Sequence, residues 1–158
     1  MAATTARCLW APRAGLVAGD EPGPKTGGVP PAILPARPPG EPSLAGHRIL
    51  VVDDEPMILE ILADHCASLG MAVQEADDGE PALRALERNP GIELLVTDVR
   101  MPGLDGPALV ERALVLRPLL KVIFITGYST HHSTAWPTLR KPFDLDALDA
   151  ALRRALLA

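Results

Sequence analysis

From His47 onward, short apolar runs rich in β-branched residues alternate with stretches of helical periodicity, and most runs lead into a polar residue. This alternation constrains the chain most, because a strand apolar at nearly every position must be covered on both faces. Arg48 to Val52 is the first run, and Asp53-Asp54 follows it. Ile58, Ile61, Leu62, His65, Cys66 and Leu69 then fall at helical spacing, with Gly70 as the stop. Met71 to Glu75 reads as a second strand, Asp78-Gly79 as a turn, and Ala82 to Arg88 as a second helix ended by Asn89-Pro90-Gly91. Ile92 to Thr97 is a third strand that runs into Asp98. After the loop signals Pro102-Gly103 and Asp105-Gly106, Pro107 suits the first turn of a helix reaching about Leu116. Lys121 to Thr126 is a fourth strand, Thr138 to Arg140 a short fifth, and Asp144 caps a closing helix to Leu157. The pattern predicts an α/β fold with a parallel sheet between two helical layers.

The first part of the chain follows different rules. Nine of the 17 prolines and seven of the 13 glycines precede His47, with few large apolar residues and no periodicity. Such a segment buries too little surface to offset its ordering entropy. Residues 1–45 are therefore expected to be a flexible, Pro/Gly-rich extension, and residues 46–158 the folded domain. The extension carries four basic and three acidic residues, against 11 and 17 in the remainder. An acidic domain without a basic stripe is a poor partner for nucleic acid. No apolar run is long enough to span a bilayer, and Pro12 and Arg13 interrupt the one stretch resembling a signal peptide. Cys8 and Cys66 form no disulfide framework; Cys66 reads as a small core residue, and a reducing cytoplasm is the expected setting.

Five polar residues mark the carboxyl ends of four strands: Asp53, Asp54, Asp98, Thr126 and Lys141. In an open parallel sheet those ends form the ligand crevice. Each residue alone has a structural explanation as a cap or strand end; all five in this order do not. Three adjacent carboxylates stay ionised together only beside a cation, and all-oxygen ligation favours Mg²⁺ or Mn²⁺. A metal, an ammonium and a hydroxyl around Asp98 make a cradle for a phosphoryl group, with Asp98 as the attacking nucleophile.

The segments "ILVVDDEP", "LLVTDVRMPGLDG", "VIFITGYS" and "LRKPF" resemble the receiver domain of bacterial two-component response regulators over about residues 47–158. The resemblance implies a flavodoxin-like (βα)₅ fold with strand order 2-1-3-4-5. It implies that Asp98 is the phosphoacceptor, and that Asp54, Asp98 and the Arg100 carbonyl are metal ligands, with Asp53 acting through water. Thr126 and Lys141 match the residues that contact phosphoryl oxygens, and Lys141–Pro142 a bond that is usually cis. The implied donor is a phosphohistidine on a sensor histidine kinase or a histidine phosphotransfer protein. Self-phosphorylation and slow self-hydrolysis are then the only chemistry, and the output is a change in protein contacts, with no DNA-binding or enzymatic domain expected in this chain.

Three features depart from the family pattern. Lys141 follows Thr126 at a spacing of only 15 positions, and "GYSTHHSTAWPT" has little helical periodicity. The fourth helix is expected to be shortened to a turn or less, or disordered, which puts family-style dimerisation in doubt. The family's switch aromatic is replaced by Thr138, with Tyr128 either taking over part of that role or covering the site rim. The Arg100 side chain either gates water, reaches the phosphoryl group or points to solvent. His131 and His132 lack a third ligand and read as a solvated loop, which Trp136 anchors to the core. The alternative function is a haloacid-dehalogenase-like Mg²⁺-dependent phosphatase, but that chemistry needs an acid where Arg100 stands. A degenerate, phosphorylation-independent receiver is disfavoured by the complete residue set.

Overall fold

The computed structural model describes residues 42–127 and 135–158. Its elements are β1 (Arg48–Val52), α1 (Pro56–Ser68), β2 (Ala72–Ala76), α2 (Gly79–Arg88), β3 (Leu94–Asp98), α3 (Gly106–Leu116), β4 (Lys121–Thr126), β5 (Thr138–Arg140) and α4 (Leu145–Leu157). All strand pairs are parallel, and the sheet order is β2-β1-β3-β4-β5. This is the doubly wound flavodoxin-like order that the resemblance implied.

Alternating side chains explain why the central strands are apolar throughout. Ile49 and Val51, Leu94 and Val96, and Ile123 and Ile125 enter one cluster with residues of α1 and α4. Leu50 and Val52, Leu95, and Val122 and Phe124 enter the opposite cluster with residues of α2 and α3. Period-two geometry thus sends each strand into two cores at once. Cys66 belongs to the first core and is buried. Burial, aided by the nearby Asp149 charge, pushes its thiol up to about 12. Trp136 packs, partly buried, against the second core, as an anchor should.

Several boundaries differ from the sequence reading. β2 starts at Ala72 because the Met71 N–H still bonds the Cys66 carbonyl, closing the end of α1 around Gly70 at φ 82°. β3 starts at Leu94 because the Ile92 N–H completes a turn onto Asn89. α2 begins at Gly79, with Asp78 in extended conformation before it, so Pro81 sits in the first turn rather than ahead of the helix. Asp144 does cap α4, accepting from the Ala147 N–H at 2.7 Å. Packing reaches back to Leu44, which is buried in the first core, two residues before the expected domain start.

Residues 1–41 of the expected extension lie outside the described residues, as does the stretch 128–134 that carries Tyr128, His131 and His132. Most of the region of the shortened fourth helix lies there too; Gly127 and 135–137 contain no helix. Among the described residues, no helix is long and apolar enough to cross a membrane.

Arg117, just past α3, ties the layers together at the end of the sheet away from Asp98. Its guanidinium donates to the carbonyls of Leu86, Asn89, Pro90 and Ile92. Those oxygens cluster where α2 ends and β3 has not begun, and the Asn89 carbonyl accepts from the Ile92 N–H as well. Arg117→Ala should lower the unfolding free energy by about 2–3 kcal/mol, read from urea denaturation. With Cys8 replaced by Ser, Cys66 should react with a disulfide reagent only at the rate of unfolding, because a thiol so raised is not ionised at neutral pH.

Candidate functional site

The strand ends place the polar residues together because parallel strands all point their carboxyl ends the same way. Asp53 follows β1 directly, its N–H bonded to the Ala76 carbonyl at the end of β2. Asp98 is the last residue of β3 and Thr126 the last of β4. The Lys141 N–H bonds the Thr126 carbonyl at 2.8 Å, which brings the residue after β5 to the same rim. The Lys141–Pro142 bond is cis, as the resemblance implied.

Gly106 lets α3 start close to this rim. Its N–H bonds the Val99 carbonyl at 2.9 Å, and a Cβ there would overlap the Asp98 carbonyl oxygen. Asp105 caps the same helix through the Ala108 N–H at 2.9 Å. The Asp-Gly pair thus starts a helix against the end of β3 rather than merely marking a loop.

Asp53, Asp54 and Asp98 each present an oxygen, all within 4.8 Å of one another. Asp53 is 0% and Asp98 6% exposed, whereas Asp54 is open to solvent. Asp53 Oδ1 accepts from the Glu55 N–H at 2.9 Å, and Asp98 Oδ1 from the Val99 N–H at 2.8 Å. These bonds fix one oxygen of each carboxylate and leave the other facing the crevice. The Lys141 ammonium lies there, 3.0 Å from Asp53 Oδ2, 2.9 Å from Glu55 Oε1 and 3.5 Å from Asp98 Oδ2. Thr126 is buried at the same end of the sheet. Arg100 stands in the exposed connection two residues past Asp98. Of the predicted residues, the carboxylates and Lys141 are in mutual reach.

The electrostatics are unbalanced in a way that matters. Burial raises Asp53 above the usual carboxylate range, opposed by the Glu55 N–H and by Lys141. Burial likewise raises Asp98, opposed by Lys141 and the Val99 N–H. Burial alone would pull Lys141 down, but the hydrogen bonds it donates to Glu55 and Asp53 outweigh it and hold the ammonium charged above its ordinary value. One ammonium pairs with three carboxylates, two of them desolvated, and the exposed Asp54 adds a fourth acid beside them. A hard divalent cation fits this donor set: the oxygens are close enough to share it, and it would offset the remaining charge.

Glu55 is the member of this cluster that the sequence reading missed. A signal was present. Glutamate directly before Pro56 occupies the helix N-cap, a place where shorter capping side chains are preferred. Thr138, at the position of the family's switch aromatic, has a buried hydroxyl without a hydrogen-bond partner among the described residues.

The family profile described as response regulator receiver domain matches residues 49–153. The chain is 38% identical over 111 residues to the sensor histidine kinase RcsC of Salmonella typhi, a match covering 66% of this chain and 12% of that protein. It is 34% identical over 116 residues to the DNA-binding transcriptional regulator NtrC of Escherichia coli, covering 68% of this chain and 24% of NtrC. Among solved structures, the receiver domain of the hybrid histidine kinase CckA is 39% identical, with a TM-score of 0.63 over 69% of this chain and 98% of that one. The response regulator TrrA of Thermotoga maritima, solved with Mg²⁺ and BeF, is 31% identical, with a TM-score of 0.64 over 70% and 99%. Fold and strand-end carboxylates together define a receiver. The chain belongs to the response regulator receiver domain family, and the phosphatase alternative has no support among these relatives.

The raised carboxylates carry a sign that can be tested. Asp53 and Asp98 hold protons in the folded state that the unfolded chain has already lost, so both favour folding less as pH rises above about 3.8. In EDTA, the stability of the wild type relative to Asp98→Asn should fall as pH is raised from about 4 to neutral, measured by urea titration at each pH. At neutral pH, Mg²⁺ at a hundredfold its dissociation constant should add about 2.7 kcal/mol to the wild type. Thermal melts should show that gain largely lost in Asp54→Ala.

Proposed function

We propose that Asp98 accepts a phosphoryl group from a histidine-bound donor, either on a sensor histidine kinase or on a histidine phosphotransfer protein. The observation that carries this reading is the grouping of the desolvated Asp98 with two further carboxylates and the Lys141 ammonium at one strand-end crevice. Asp54, Asp98 and the Arg100 carbonyl would hold Mg²⁺, or Mn²⁺, with Asp53 contributing through water. When bound, the ion neutralises charge on the phosphoryl oxygens and lets the dianionic group approach a carboxylate.

The chain's own residues do the rest. The Val99 N–H holds Asp98 Oδ1 and so orients the carboxylate, leaving Oδ2 to attack phosphorus in line. The Oδ2–P bond forms as the bond from phosphorus to the donor imidazole nitrogen breaks, and that nitrogen keeps the electron pair and takes a proton. Lys141, already beside Oδ2, turns to the phosphoryl oxygens, and the Thr126 hydroxyl donates to another. Hydrolysis later returns the carboxylate and inorganic phosphate, so the protein is a slow self-hydrolysing switch rather than an enzyme acting on other substrates.

The output is a change in protein contacts, biased by the movement of Thr126 and Lys141. RcsC and NtrC carry different names and the matched region is a small share of each, so neither supplies an output for this chain. A cytoplasmic setting accords with a kinase donor, and the acidic domain is not expected to bind nucleic acid or membrane itself.

Incubation of the full chain with Mg²⁺ and acetyl phosphate should add one phosphate by intact mass, labile in base. The adduct should be absent in Asp98→Asn and in EDTA. Labelling that persists in Asp98→Asn would falsify the assignment, and catalytic turnover of a phosphomonoester would restore the phosphatase reading.

A further inference from the structure

Neither helix formation nor the carboxylate cluster accounts for the side chain of Glu55. It is the N-cap of α1, with φ −87° and ψ 110°, and its carboxylate makes no capping hydrogen bond. Ser, Thr, Asp and Asn suit that position because their short side chains turn back to the free N–H groups of the first turn. The longer arm of Glu55 leaves the helix instead and reaches Lys141, with Oε1 2.9 Å from Nζ. The same ammonium is 3.0 Å from Asp53 but 3.5 Å from Asp98. Lys141 is held closely by two carboxylates that do not face the incoming group as nucleophiles, and loosely by the one that does.

We propose that Glu55 is a positioning residue that retains Lys141 on the Asp53 side of the crevice and thereby slows phosphoryl acceptance at Asp98. The inference rests on Asp98 being the phosphoacceptor. A phosphoryl group arriving at Oδ2 brings new negative oxygens, and Lys141 moves toward them. That movement breaks the Glu55 contact, so the contact stabilises the unphosphorylated state relative to the transition state. Glu55 takes no part in bond making or breaking and leaves the phosphoryl transfer balanced as written. Its side chain is 61% exposed, so the effect is that of a solvent-screened ion pair: modest, and sufficient to set a rate.

Two substitutions separate contact from charge. Glu55→Gln keeps the length and removes the charge. Glu55→Asp keeps the charge, but it is one methylene too short for Lys141 and is suited to cap α1. Initial rates of acetyl phosphate labelling of the full chain, at saturating Mg²⁺ and by intact mass, should rise about two- to fivefold in both variants. Urea midpoints of both variants verify that the protein compared is folded. Either variant labelling at or below the wild-type rate overturns the inference. A faster Gln variant beside an unchanged Asp variant does so by showing that Glu55 acts as a distant charge. If wild-type Asp98 does not label, the phosphoacceptor reading itself falls and takes this inference with it; wild-type labelling with unaltered variants removes only the role of Glu55.

Discussion

The structure turns on one ammonium among carboxylates. Lys141 meets Asp53, Glu55 and Asp98 within 3.5 Å, at the one edge of the sheet where desolvated acids collect. Burying Asp53 and Asp98 opposes their ionisation, and leaving them unpaired would cost far more than any single packing contact returns. One lysine offsets part of that charge. The remainder makes the crevice receptive to a hard cation and, through it, to an anionic group that no bare carboxylate cluster would admit. Receptivity and strain have the same cause.

Such a cluster needs a stiff support, and the two-sided sheet provides it. The three central strands bury side chains on both faces, so they cannot slide by one residue without exchanging one core for the other. Fixed register sets Asp98 beside Ile125 of β4 and the end of β1 beside Thr97, one residue before it. At the same rim, Gly106 allows α3 to begin in contact with the Asp98 backbone. At the far rim, Arg117 gathers four carbonyls where α2 gives way to β3. Chemistry is concentrated at one end of the strands and mechanical closure at the other.

The sequence disclosed much of this through local signals. Apolar runs located β1, β3 and β4, weaker signals located β2 and the three-residue β5, and helical spacing with Gly70, Pro107 and Asp144 located the helices to within a few residues. Boundaries slipped where hydrogen bonding from a preceding turn decided them, as at Met71 and Ile92, because a turn bond does not alter hydrophobic pattern. The strand-end residues Asp53, Asp54, Asp98, Thr126 and Lys141 were visible because each follows an apolar run. Glu55 was not read as one of them. It belongs to no strand end, and its contact with Lys141 spans 86 residues of sequence. Its one local trace was an unsuitable cap.

By itself the sequence determined the alternation of strands and helices, the two-sided burial of the sheet and the chemical types available at its carboxyl edge. These follow from periodicity and residue type, which act over a few neighbouring positions. Only the tertiary structure decided that Lys141 is closer to Asp53 and Glu55 than to Asp98, which carboxyl oxygens face backbone N–H groups, and how deeply each acid is buried. Those properties arise from strands brought side by side across long stretches of chain, where distance and solvent exclusion, rather than spacing in sequence, set the energy of a charge.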